Sequence, residues 1–198
     1  MNYIIIFYYL VNIENSTAIT AGVDEAGRGP LAGPVVAAAC ILPALKRFPR
    51  FICDSKTLDA AGREEAYAWI TKHCIIGVGL SGSRYVDERG ILAATERAMQ
   101  QAVAMLAYTV KPTYLLVDGR DKFWFDYPHS SIIDGDALER CISAASIVAK
   151  VSRDHMMRQM DLQFPGYGFA QHKGYGTEMH YEMIRKLGMC GIHRRSYL

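Results

Sequence analysis

Thr20-Ala21-Gly22-Val23-Asp24-Glu25-Ala26-Gly27-Arg28-Gly29-Pro30-Leu31-Ala32-Gly33-Pro34 is the stretch whose reading decides this chain. An apolar run from Ala18, with Ile19 and Val23, leads into it and reads as a strand. Two adjacent carboxylates, Asp24 and Glu25, stand at the strand's end, and glycines and prolines then bracket a lone arginine, Arg28. Val35 to Leu42 is almost wholly apolar and reads as a second buried strand, paired with the first through the Gly-Pro turn. Adjacent strand side chains point to opposite faces, so Asp24 and Glu25 can flank one cation only if the backbone bends there or itself serves as a ligand. The glycines supply that freedom. Taken alone, Asp-Glu is also an ordinary strand-to-loop transition. The longer string suggests a backbone that must approach something closely, and a polyanion fits, because arginine and free N–H groups bind phosphate.

The 198 residues suffice for one well-filled domain, and 51% hydrophobic content is ordinary for a soluble globular protein. A net charge of +2 is too mild to announce nucleic acid unless the basic residues cluster. They do so in the C-terminal quarter, at His172, Lys173, Arg185, Lys186, His193, Arg194 and Arg195. Five dispersed cysteines without a metal-binding spacing read as buried free thiols in a reducing cytoplasm. Met1 to Val11 is apolar but lacks a basic leader region and a cleavage site, and is too short to span a bilayer. Residues 1–17 are therefore expected to be an extension or an extra strand, and 18–198 a single domain.

Along the chain, Asp54-Ser55-Lys56 precedes a helix over Asp59 to Lys72, with Asp59 as its N-cap. Cys74 to Leu80 reads as a third strand and Tyr85 to Tyr108 as one long amphipathic helix. Thr113 to Val117 is a fourth strand, ending in Asp118-Gly119, and Ser130 to Ile133 a fifth, ending in Asp134-Gly135-Asp136. A continuous helix is expected from about Asp136 to Gln163, with Lys150, Arg153 and Asp154 off its apolar face. A second helix follows over Thr177 to Leu187, with Thr177 at its cap and an irregular basic tail after it.

Asp24, Glu25, Asp118 and Asp136 thus sit at strand ends or a helix start. If the first and fourth strands are neighbours, these acids converge, and four close carboxylates cannot all stay ionised without a cation. Oxygen donors with no histidine or cysteine among them point to Mg²⁺ or Mn²⁺. Two such ions are the apparatus of in-line phosphodiester hydrolysis. Each acid also has a plain role open to it: Asp136 as a helix cap, Asp118-Gly119 as a turn, with Asp134 competing as the ligand.

The string from Gly22 to Ala39 resembles the signature of bacterial ribonuclease HII. So do Asp54-Ser55-Lys56, Val117-Asp118-Gly119, Gly135-Asp136, the run Ile142 to Asp154, and His172-Lys173-Gly174-Tyr175-Gly176-Thr177. The likeness runs in order over nearly the whole chain. It implies an α/β architecture, an RNase H-like mixed five-stranded sheet flanked by helices with a small C-terminal helical region. It implies that Asp24, Glu25, Asp118 and Asp136 are catalytic and hold two divalent cations, Mg²⁺ or Mn²⁺. It implies an endonuclease that cuts the RNA strand of RNA–DNA hybrids; a cytoplasmic location is expected from the free thiols, and a monomer because nothing in the sequence suggests otherwise. The likeness further implies incision 5′ of single ribonucleotides in duplex DNA, leaving 3′-hydroxyl and 5′-phosphate ends. Gly27, Arg28 and Gly29 would meet the ribonucleotide and reach its 2′-hydroxyl. Tyr175 would lie against the sugar at the RNA–DNA junction, while Ser55, Lys56, Lys150 and Lys173, with the basic tail, would contact phosphates.

Two residues depart from the pattern: Asp134, where the family more often has lysine, and Gly90, where it tends to have asparagine and where little effect beyond local stability is expected. The readings that compete are a ribonuclease HIII-type enzyme, a non-catalytic nucleic-acid-binding relative, and a structural α/β protein whose acids are turn residues. Arg28 and the short stretch before Asp24 count against the first, and the four intact acids against the second.

Overall fold

A five-stranded sheet in the order β3-β2-β1-β4-β5 carries the site. The strands are β1 (Thr20–Ala26), β2 (Val35–Ile41), β3 (Ile75–Ser81), β4 (Tyr114–Asp118) and β5 (His129–Ile132). A computed structural model describes residues 18–45, 47–52 and 58–198. The expected extension over residues 1–17, Cys53, and the Asp54-Ser55-Lys56 string lie outside them. β2 runs antiparallel to both β1 and β3, whereas β4 runs parallel to both β1 and β5, so the sheet is mixed. The β1–β4 register pairs Val23 with Val117, which sets Asp24 beside Asp118 where the pairing of the two strands ends.

Helices cover both faces. α1 (Ala60–His73) and α2 (Ser83–Ala107) follow the second and third strands, and α3 (Gly135–Leu138) and α4 (Arg140–Gln163) follow the fifth. Ala21 and Val23 of β1 face the cluster built with Ala94, Ala98, Ala102 and Leu106 of α2. Gly22 and Asp24 face the other way, toward α4, as strand alternation requires. α4 lies so close there that a Cβ on Gly22 would fall 2.2 Å from the Cys141 carbonyl carbon. α1 completes that second layer through Ala66 and Ile70, packed with Ala145, Ile147 and Val148 of α4. A smaller cluster of Ala32, Met157, Tyr167 and Phe169 ties the C-terminal part, with α5 (Phe169–His172) and α6 (Glu178–Leu187), to the loop after β1.

Two expected caps are present. Asp59 accepts the N–H of Gly62 at 2.8 Å, and Thr177 accepts that of His180 at 3.2 Å. Cys40, Cys74, Cys141 and Cys190 are free thiols. Among the described residues no helix is long and apolar enough to cross a membrane.

The structure corrects four expectations. The one long helix expected over Tyr85 to Tyr108 is interrupted by a kink at Gly90, whose φ 80° and ψ 165° glycine adopts at no steric cost. The helix expected from Asp136 to Gln163 is two: an extended Glu139 separates α3 from α4. Arg153 lies on the buried face of α4, in line with Ala145, Ala149 and Met157 at steps of four residues, and is fully buried. The tail is not simply irregular and basic, because His193 and Arg194 are buried and Arg195–Tyr197 closes it in a 3₁₀ turn.

Candidate active site

Asp24 is 6% exposed, and its Oδ1 accepts the N–H of Glu25 at 2.6 Å. The Ser146 hydroxyl, from α4, also bonds its carboxylate. Burial, together with the charges of Glu25 and Asp118, holds the Asp24 carboxyl well above the usual carboxylate range, and these two bonds only partly oppose that. Glu25 is raised as well, first by burial, while Arg28 pulls it down and the carboxylates of Asp118 and Asp121 push it up. Asp118 ends β4, and its Oδ1 accepts the backbone N–H of Asp136 at 3.2 Å, so the start of α3 is anchored on that carboxylate. Asp134, just before, sits in the left-handed region at φ 53°, a conformation aspartate tolerates better than most residues.

Asp24, Glu25 and Asp118 are therefore electrostatic neighbours, with Asp136 tied to Asp118. Among the described residues no three such side chains form a finished metal-ligand cluster. Oxygens of Asp24, Glu25 and Asp118 each accept a bond from a protein donor: the Glu25 N–H, Arg28 and the Asp136 N–H respectively. The donor set still suits a hard divalent ion: every candidate ligand is a carboxylate, and Asp24 is buried beside two more negative groups.

The loop after β1 is held from beneath. Gly27 has φ 97°, and a Cβ there would fall 2.1 Å from Arg153 Nε. Arg153 donates to the carbonyls of Pro34 and Ala32 at 3.0 and 3.2 Å. Arg194 donates to those of Gly27, Arg28 and Gly33 at 2.6, 2.8 and 2.9 Å, and the Tyr197 hydroxyl adds a second bond to the Arg28 carbonyl. With these carbonyls drawn inward, the N–H groups of Arg28 and Gly29 find no acceptor among the described residues. The Arg28 side chain bonds Asp121 at 2.7 Å and Glu25 at 3.3 Å. Burial opposes its charge, but these partners more than offset that and raise its proton affinity.

Tyr175 is 43% exposed. The preceding Gly174 carbonyl accepts the Leu31 N–H at 2.8 Å, and Arg153 stands 5.7 Å from the Tyr175 ring centroid. Lys173, at φ 53°, and Gly174, at φ 83°, are consecutive left-handed residues that set up this turn. Lys173 donates to the Ala170 carbonyl, and Lys150 pairs with Asp154 at 2.7 Å. The expected phosphate role of the basic tail fails at Arg194 and His193, which are spent on the interior.

A family model for ribonuclease HII matches residues 21–198. The chain belongs to the ribonuclease HII family. A ribonuclease HII of Geobacter metallireducens is 50% identical over 185 residues, which are 93% of this chain and 85% of that protein. Among solved structures, ribonuclease HII of Archaeoglobus fulgidus, captured in complex with PCNA, superposes with a TM-score of 0.75 at 25% identity, covering 91% of this chain and 95% of that one. Ribonuclease H2 of Pyrococcus horikoshii gives 0.69 at 28% identity, covering 89% and 92%. The sheet and helices described above are thus the RNase H fold. Like ribonuclease HII enzymes generally, the chain is a metal-dependent endoribonuclease of H type 2, a class that acts on RNA–DNA hybrids.

Four residues at this site escape a reading of the sequence. Ser146 is one serine among several in an alanine-rich helix, and Asp121 follows the Asp118-Gly119 turn with nothing local to mark it. Arg194 is indistinguishable in sequence from exposed Arg195. Arg153 alone had a signal, the four-residue stripe through Ala145, Ala149 and Met157.

Proposed function

We propose that this ribonuclease HII cuts on the 5′ side of a ribonucleotide, in hybrids and at single ribonucleotides embedded in duplex DNA, leaving a 3′-hydroxyl and a 5′-phosphate. The observation that carries the reading is the register that sets Asp24 beside Asp118, next to a loop in which the N–H groups of Arg28 and Gly29 have no acceptor among the described residues. Asp24, Glu25, Asp118 and Asp136 would hold two Mg²⁺ or Mn²⁺ ions, which when bound supply water activation and stabilisation of the leaving oxygen. Arg28 and the free N–H groups of Arg28 and Gly29 stand as donors toward a 2′-hydroxyl, the group that separates RNA from DNA. Gly27 gives the loop its bend, and Gly29, with nothing within 4 Å of where a Cβ would stand, leaves room for a sugar. Tyr175, partly exposed on the turn that Leu31 of this loop bonds, offers an aromatic ring suited to packing on that sugar. Lys150 and Lys173 would exchange their internal partners for phosphate, and Ser55 and Lys56 would extend the same footprint. The chain is read as one domain over 18–198 that works as a cytoplasmic monomer.

Two matched labelled duplexes test this, one with a single ribonucleotide and one all DNA, each with Mg²⁺, Mn²⁺ or chelator. The expected result is metal-dependent incision 5′ of the ribonucleotide alone, lost by at least about a hundredfold in Asp24→Asn. Cutting of the all-DNA duplex, or full activity in Asp24→Asn, would overturn the reading.

A further inference from the structure

Behind the Tyr175 turn, three buried histidines form one array. His193 Nδ1 receives the backbone N–H of Cys190 at 2.9 Å. A backbone N–H can only donate, so this Nδ1 carries no proton, and the neutral ring is protonated at Nε2. That Nε2 lies 3.1 Å from His180 Nε2, and His180 Nδ1 lies 2.9 Å from the Tyr175 carbonyl. A carbonyl can only accept, so His180 is protonated at Nδ1 and its Nε2 is the acceptor. Both ends of the chain impose one direction: Cys190 N–H to His193, His193 Nε2–H to His180, His180 Nδ1–H to Tyr175. His172 is fixed by the same logic. It receives the Gly174 N–H on Nδ1 at 3.1 Å and donates from Nε2 to the Tyr167 carbonyl at 2.8 Å. Its ring stacks on His180, with centroids 4.3 Å apart.

We propose that His180, in its Nδ1–H tautomer and backed by His193, is a positioning residue that fixes the Tyr175 peptide and so aims the phenol at the sugar. The proposal rests on Tyr175 serving as the sugar contact, as read above. The chain of bonds works only with neutral rings, since a proton added to His180 would set two Nε2–H donors against each other, and one added to His193 would set an Nδ1–H against the Cys190 N–H. The titratable groups facing the pair are His172 from α5, Cys190 and Tyr167, and Tyr175 itself, whose charged neighbours Arg153 and Arg194 are both cationic. None of these is a carboxylate that could pair with an imidazolium. Burial, with the neighbouring imidazoles, lowers His180 to about 4, which keeps it neutral in use.

Histidine ¹⁵N spectra of the wild-type protein and incision by four variants test the idea. The expected spectrum has His180 protonated at Nδ1, the minor form of free imidazole, and His193 at Nε2. His180→Phe should slow single-turnover incision at an embedded ribonucleotide by about tenfold with little change in duplex affinity. His180→Asn, whose amide nitrogen can replace Nδ1–H, should recover most of that rate. In a Tyr175→Ala background, His180→Phe should add nothing. An Nε2–H tautomer on His180, or full activity in His180→Phe while Tyr175→Ala is slow, overturns the proposal and leaves the role of Tyr175 intact. A fully active Tyr175→Ala removes the role of Tyr175 and this proposal with it. If His180→Phe does not fold, the tautomer spectrum and the Asn variant decide.

Discussion

Arg194 Nη2 donates to the Gly27 carbonyl at 2.6 Å, across 167 positions of sequence. One guanidinium from the tail thereby fixes the backbone of the turn that carries Arg28. Its planar fork reaches three carbonyls, of Gly27, Arg28 and Gly33, from a fully buried position. A lysine keeps the charge but cannot span them. Arg194→Lys is expected to cost about 2–4 kcal/mol in urea unfolding, because buried carbonyls lose charge-assisted bonds. Incision should fall in step, even at a temperature where the variant is fully folded.

The two glycines of the Gly-Arg-Gly turn are predicted to behave differently. Gly27→Ala combines φ 97° with a Cβ 2.1 Å from Arg153 Nε and 2.7 Å from the Pro34 carbonyl oxygen. It should destabilise the fold by about 2 kcal/mol or more. Gly29→Ala meets nothing within 4 Å and should leave the melting temperature unchanged. Any loss of incision at Gly29 then measures how closely the sugar approaches, and a destabilised Gly29→Ala would mean that the turn is packed differently.

Much of this was legible in the sequence for physical reasons. The β1–turn–β2 unit announced itself because apolar strands, paired acids and turn glycines are all local signals. Capping by Asp59 and Thr177 is local too. The convergence of Asp24 with Asp118 needed only one non-local fact, the parallel pairing of β1 with β4. What stayed hidden is chemistry settled by burial. Arg194 and Arg195 differ only in which one the tail turns inward, and Arg153 looks polar until the neighbouring loop offers it carbonyls. The short α3 before the break at Glu139 is tied to β4 by Asp118 accepting the Asp136 N–H, a tertiary contact that no local propensity encodes.

Asp24 is expected to be a liability to the metal-free fold. Its folded proton affinity is raised above the ordinary value of 3.8, so its contribution to stability is full below that pH and is lost as pH rises through the folded value. Asp24→Asn should therefore raise the melting temperature of chelator-treated protein at pH 8 by roughly 2–5 °C, with the gain shrinking toward pH 4. Added Mn²⁺ should raise the wild-type melting temperature and move that of Asp24→Asn far less. Equal metal shifts in both proteins would argue that the ion binds elsewhere.

Asp121 holds Arg28 at 2.7 Å, closer than Glu25 does at 3.3 Å. Removing that partner leaves Arg28 to Glu25 alone, which on the proposed reading tightens its hold on a carboxylate that would hold an ion and withdraws it from the sugar. Asp121→Asn should raise the KM for a ribonucleotide-containing duplex by about three- to tenfold. The fold should be unaffected, because both side chains of this pair are partly exposed and such pairs contribute little to stability, ~0–1 kcal/mol. A change in kcat with KM unaltered would instead place Asp121 in the chemical step.

The histidine array predicts an acid-sensitive fold. His180 is neutral when folded, with its value lowered from 6.5 to about 4, and His193 is lowered in the same direction, first by burial. As pH falls below 6.5, the unfolded chain takes up these protons first and the folded state does not, so stability declines with falling pH. For His180 the decline ends near pH 4, where the folded ring is protonated as well. Across that window the contribution of His180 is on the order of 2 kcal/mol, because a tenfold change in proton affinity corresponds to about 1.4 kcal/mol and the ring retains some screening. The raised values of Asp24 and Glu25 work in the opposite sense, so the wild-type profile alone mixes the two effects. The difference between wild type and His180→Asn isolates the imidazole. Urea unfolding at pH 7 and pH 5 should show wild type losing more stability than the variant, and parallel losses would mean that His180 is already charged in the folded protein.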